Sequence, residues 1–277
     1  MAVTESIFYW VGFILYILAW IMSLSALIFK KKLLEKVAII VGLVAFVGQT
    51  TAIIIRWAMI GHPPLFGSFE NSLAASWTII IFSFFVMWKY RGLKNIGVVS
   101  YVVALLLLLW GQIPVFNKHQ IPLTISERSL WLDIHVLFAW FAFGSLLTAW
   151  ALAGLWMTKA RKLKKTGQQD TDTIDYLSEV IFKFLVFGFI TYTAMIALGS
   201  FYEFILFGKW WQWDIVESLS LVTWLFYGTI IHLHLFYSWR GKGLMIMVLL
   251  APLGIFSSYF VIALLFGKTF HTFDLSF

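Results

Sequence analysis

A polytopic, all-α membrane helix bundle of about eight transmembrane helices is the fold class this sequence predicts, on three observations. Of its 277 residues, 61% are hydrophobic and only 12% are charged, where a soluble domain carries about 25% charged residues. Apolar stretches of the roughly 20 residues that a bilayer crossing needs run over 7–29, 37–59, 73–88, 96–113, 130–157, 180–207, 219–238 and 244–266. Finally, the connections between them alternate between basic and nearly free of Lys and Arg. The positive-inside rule assigns the basic connections to the cytoplasm, which puts both termini on the outer, extracytoplasmic face.

Each element follows in order. The first span comes after Glu5 rather than a basic n-region, so it reads as a retained helix and not a signal peptide. Lys30, Lys31, Lys32 and Lys36 hold the next connection in the cytoplasm, and the second span ends outside at Arg56. Gly61-His62-Pro63-Pro64 and Glu70 lead into the third span, and Lys89, Arg91 and Lys94 return the chain to the cytoplasm. An outer connection with His119 and Arg128 precedes the fifth span, near whose outer start lies His135. The longest polar connection, 158–179, is basic at its start and acidic at its end and reads as a solvated cytoplasmic linker. After the sixth span comes a tryptophan-rich outer segment, 208–218; Arg240 and Lys242 separate the last two spans, and a tail with His271 follows on the outer side. No repeat and no Gly/Ser or Pro-rich tract divides the chain, so 1–277 reads as one integral membrane domain.

Composition removes several chemistries. With no cysteine, the chain holds no disulfide, thiolate metal site or iron-sulfur cluster. The net charge of +7 lies in cytoplasmic connections and calls for no nucleic acid. Fifteen Trp and 28 Phe exceed what lipid-facing helices or an interfacial belt require.

The densest segment is Phe207-Gly-Lys-Trp-Trp-Gln-Trp-Asp-Ile-Val-Glu-Ser218. Asp214 and Glu217 have the spacing of a capping box that opens the seventh helix, and Trp210, Trp211 and Trp213 form an aromatic surface suited to a flat ligand. His232 lies about 13 residues into the seventh span, roughly 20 Å below its outer end, and an ionisable residue within lipid marks a functional position. His234, two positions on, points some 200° away. No other span has a histidine at that depth, so if His232 ligates a metal centre its second axial ligand is not a histidine of this chain, and a partner helix could supply it. Imidazoles, aromatic surfaces and absent thiolates suit haem; zinc finds no histidine pair on one helix face.

The segment 199–218, with Leu221-Val-Thr-Trp-Leu-Phe-Tyr227 and His232, resembles the tryptophan-rich WWD signature of haem-handling membrane proteins. It is most similar to the CcsA/ResC component of the system II cytochrome c synthase. Arg56-Trp57, Gly61-His62, Pro64-Leu65 and Glu70 resemble the family's outer loop, Trp131-Leu132 with His135-Val136 its first outer haem histidine, and Phe270-His271 its second. Phe207 and Tyr202 stand in place of tryptophans, and Gly67 and Phe69 where asparagine and tyrosine are expected.

The resemblance implies a protein that receives haem b from the cytoplasm and presents it outside to the Cys-x-x-Cys-His segment of apocytochrome c. His232 would ligate iron in transit with a histidine of a CcsB/ResB-like subunit. His135 and His271 would hold it outside, beside Trp210, Trp211, Trp213 and Asp214. The implied location is a bacterial cytoplasmic membrane or a thylakoid-type one. Two other readings stay open: a CcmC-type haem exporter without ligation activity, and a cytochrome b anchor. Arg56 and Arg128, both at outer helix ends, read first as snorkelling cations, with pairing to a haem propionate as the alternative.

Overall fold

The computed structural model describes residues 2–65, 67–90, 92–113, 129–166 and 171–257. Every element among them is helical: α1 (Ala2–Phe29), α2 (Lys32–Ile60), α3 (Gly67–Lys89), α4 (Ile96–Trp110), α5 (Leu130–Thr166), α6 (Thr171–Phe207), α7 (Ile215–Phe236), α8 (Lys242–Leu250) and α9 (Pro252–Phe256). The last two are one rod, because Ala251 between them is itself right-handed helical. Pro252 marks the break, since it brings no N–H to the ladder. Eight rods thus replace the eight expected spans. Six helices are long and apolar enough to cross a membrane, and the Ile96–Trp110 and Lys242–Phe256 rods are shorter.

Two expectations change. The fourth helix stops at Trp110 rather than 113, because Gly111 and Gln112 form a turn ahead of Pro114, which disfavours helix in the residue before it. The basic segment expected to be a linker is helix: α5 continues through Thr166 and α6 starts at Thr171. Lys and Arg are good helix formers, Lys164 and Lys165 complement the negative end of α5, and Asp172 complements the positive end of α6.

The chain forms two units, residues 1–122 with 276–277, and residues 123–275. In the first, α1 lies along α2, and α4 packs on both α1 and α3. Without a hydrophobic force between helices in lipid, close backbone approach becomes the means of association. Ala19, Ala26, Ala38, Ala45 and Ala52 are buried, and a Cβ on Gly12 would lie 3.2 Å from the Ala45 carbonyl. Polar residues add direction. Gln49 accepts from Tyr16 Oη (2.8 Å) and donates to the Leu73 carbonyl (3.1 Å) and Ser76 Oγ (2.7 Å), which fixes α1, α2 and α3 in register. Ser83 and Ser100 pair between α3 and α4.

Arg56 closes one end of this unit. Its Nε donates to Glu70 at 2.8 Å and its Nη1 to Glu5 at 3.1 Å, its guanidinium lies 4.7 Å from the Phe69 ring centroid, and all three charged side chains are buried. Two carboxylates face one cation here. Both sit in first turns, Glu5 of α1 and Glu70 of α3, where the positive helix ends balance the second negative charge.

In the second unit α5 and α6 form a long hairpin, α7 packs on α6, and the α8–α9 rod packs on α5 and α7. Ser145 Oγ donates to the Phe184 carbonyl at 2.8 Å and Trp150 Nε1 to the Leu249 carbonyl at 3.2 Å, tying α6 and α8 to α5.

Candidate functional site

The tryptophan-rich segment joins α6 to α7. Gly208, at φ 68°, ends α6 in the left-handed region that glycine enters freely, and its N–H reaches the Phe204 carbonyl at 2.9 Å. The expected capping box is present at the start of α7: Glu217 N–H donates to Asp214 Oδ1 at 2.7 Å, and Asp214 N–H to Glu217 Oε2 at 3.2 Å. The same Oε2 accepts from Gln212 N–H at 2.9 Å. Between those two amides sits Trp213 at φ 60°, a left-handed conformation that costs an L-residue about 1–2 kcal/mol. The buried Glu203 carboxyl lies within hydrogen-bonding reach of Glu217 and close to Asp214.

The three indoles are not one flat platform. Trp210 stacks on Phe204 at 4.6 Å and 14°, while Trp211 and Trp213 stand edge to face at 6.0 Å and 77°. The segment is a folded corner, with Trp213 the most exposed of the three. An aromatic chain leads from it to α5: Phe201 lies 6.1 Å from Trp210 and 4.8 Å from Trp131. Trp131 is one turn before His135 and shares its helix face.

His135 is half-buried, and its Nδ1 lies 2.8 Å from the carbonyl of Met195 on α6. A carbonyl only accepts, so Nδ1 carries the proton; in the neutral ring Nε2 then holds the lone pair. Haem and metal proteins orient a ligating imidazole in this way.

His232 and His234 diverge as their spacing requires. The His234 ring packs 4.2 Å from Phe182 of α6, and its Nδ1 lies 3.2 Å from the Trp239 carbonyl. His232 is exposed and borders Phe236 (4.6 Å) and Tyr237 (5.8 Å), both just beyond it in the chain. Met195, beside His135, and Phe182, beside His234, are 13 residues apart on α6, or about 20 Å at 1.5 Å per residue. The two histidine positions therefore lie at different levels along α6. His271, His119 and Arg128 lie outside the described residues. Among the described residues, no group of three His, Cys, Asp or Glu side chains gathers as a metal site.

Arg56 is buried rather than snorkelling to water, its Nε donating to Glu70 and its Nη1 to Glu5. The cluster ties α1, α2 and α3 together. Glu203 lies within the tryptophan-rich signature, and its sequence signal is that of a carboxylate in the last turns of an apolar helix.

Residues 65–269 match the family described as cytochrome C assembly protein. The chain belongs to that family. Cytochrome c biogenesis protein CcsA of Prochlorococcus marinus (strain MIT 9301) is 25% identical over 251 residues, covering 79% of this chain and 78% of that protein. CcsA of Guillardia theta is 23% identical over 208 residues, covering 68% and 69%. Among solved structures, the cytochrome c heme lyase CcmF shares the fold with a TM-score of 0.65 at 14% identity, over 93% of this chain and 46% of that one. This chain thus spans less than half the length of that structure. It is a multi-pass integral membrane protein of the cytochrome c assembly family, similar to CcsA proteins.

Proposed function

We propose that this assembly protein receives haem b at the cytoplasmic end of α7, carries it through the membrane and presents it on the outer face for thioether attachment to the Cys-x-x-Cys-His segment of apocytochrome c. Haem is the cargo and the substrate. The observation that carries the reading is the seat of His135: its Nδ1–H is tied to the Met195 carbonyl, and the ring stands one turn from the aromatic chain Trp131, Phe201, Trp210.

In this reading His135 holds iron through Nε2, and His271 supplies the second outer ligand. The corner of Trp210, Trp211 and Trp213, capped by Asp214, borders the macrocycle and keeps its vinyl groups facing the incoming thiols. Holding the reactants together accounts for much of the acceleration. With no cysteine of its own, the chain does not compete for the vinyl groups. His232, exposed near the other end of α7, ligates haem in transit together with a histidine from a CcsB/ResB-like subunit. Its exposed setting supports a ligand shared with another helix.

The test is co-expression of the chain with a CcsB/ResB-like subunit and an apocytochrome bearing Cys-x-x-Cys-His. Covalently attached haem, retained through denaturing electrophoresis, is expected, together with a Soret band on the purified chain that falls when His135 and His271 are both replaced by alanine. A Soret band unchanged in that double variant overturns the outer site. Haem binding without covalent cytochrome replaces the synthase reading with that of an exporter.

A further inference from the structure

Gly199 lies eight residues before the end of α6 and makes no sharp turn, so its conformational freedom is not what the helix uses. A glycine inside a helix costs about 1 kcal/mol relative to alanine, and packing is the remaining reason for one here. The packing partner is His135. A Cβ built on Gly199 would lie 2.8 Å from His135 Cε1, 2.9 Å from Nδ1 and 3.8 Å from Nε2. Both of the first two separations are closer than a Cβ approaches other heavy atoms in folded proteins. The imidazole therefore lies against bare α6 backbone.

The geometry points to Gly199 as the positioning residue for His135: its missing side chain lets the imidazole reach the Met195 carbonyl, which fixes the proton on Nδ1 and the ligating lone pair on Nε2. Met195 and Gly199 are one helical turn apart, so the carbonyl that receives His135 is the one the helix ladder pairs with the Gly199 N–H. Carbonyl and gap thus belong to the same turn of α6. An added methyl displaces the ring from this turn and breaks the 2.8 Å bond. The partner that orients a ligating histidine is worth about 10–100-fold in metal affinity.

This inference rests on His135 being a haem ligand, and the experiment separates the two. Haemin is titrated into the purified full chain carrying His232→Ala, so that the outer site is read, and into the same chain with Gly199→Ala, His135→Ala or both. Gly199→Ala should weaken binding about tenfold or more, and the bound iron should shift from low-spin to high-spin in its visible spectrum. His135→Ala should weaken it at least as much, and the double variant should bind no more weakly than His135→Ala alone. If Gly199→Ala binds haemin as the parent does while His135→Ala does not, the positioning role is overturned and the ligand role stands. If His135→Ala leaves binding unchanged, both fall. An additive loss in the double variant overturns the inference, because Gly199 would then act through helix packing. Should Gly199→Ala fail to accumulate, adding His135→Ala removes the colliding ring and should restore its yield; a double variant that also fails to accumulate overturns the inference.

Discussion

Replacing Glu217 should release the corner that holds Trp213. One carboxylate oxygen binds the amide before Trp213 (Gln212, 2.9 Å) and the amide after it (Asp214, 3.2 Å). Hydrogen bonds to a charged acceptor contribute about 1.5–3 kcal/mol each, so the pair stabilises the corner by at least about 3 kcal/mol. Against this stands about 1–2 kcal/mol for a tryptophan in the left-handed region. The clamp outweighs the strain, and without it the balance reverses. Glu217→Ala should lower the local opening free energy by about 3 kcal/mol, which is about a hundredfold at 1.4 kcal/mol per decade. Glu217→Gln keeps one neutral acceptor and should fall between, at about tenfold. Hydrogen exchange on the intact chain reads this at the Gln212 and Asp214 amides, with the α5 segment around Trp156 as the internal control. Unchanged protection in Glu217→Ala, or faster exchange in Glu217→Gln than in Glu217→Ala, would refute the reasoning.

Arg56→Met leaves Glu5 and Glu70 buried without their cation and should destabilise the first unit by about 3–5 kcal/mol, read as a lower thermal midpoint in detergent. Neutralising both acids in the same chain should recover most of the loss; an unchanged midpoint in the single variant argues against the cluster. At the other end of α7, His232→Ala should abolish the haem carried between the chain and its partner subunit, whereas His234→Phe, which keeps a ring against Phe182, should retain it in the Soret spectrum. The opposite pattern would exchange the roles of the two histidines.

The helices were legible because apolar runs between basic clusters leave the chain few alternatives in lipid, and Asp214 with Glu217 announced its own cap three residues apart. Local spacing carried both. What spacing does not carry is pairing through space: Glu5 and Arg56 are 51 positions apart, and nothing near either names the other. The same holds for Gly199, 64 positions from the histidine whose ring it admits. The folding of the indole surface into a corner was not legible for a different reason, since sequence gives the number of aromatic faces but not the angle between them. The basic stretch that ends α5 was not legible as helix because charge suggested a solvated linker, and solvated Lys and Arg are equally at home on a projecting helix.

The Arg56 cluster also constrains the birth of the protein. When Arg56 emerges from the ribosome, its guanidinium can meet only Glu5; Glu70, 14 residues further along, is still inside the exit tunnel. Arg56 should therefore stay at the wet edge of the bilayer until α3 arrives, with the α1–α2 hairpin settling fully once the third helix delivers its acid. A chain truncated in the connection after α2 should accordingly leave that end of the hairpin hydrated, and a ribosome paused there would hold the nascent protein at a defined halt on its way into the membrane.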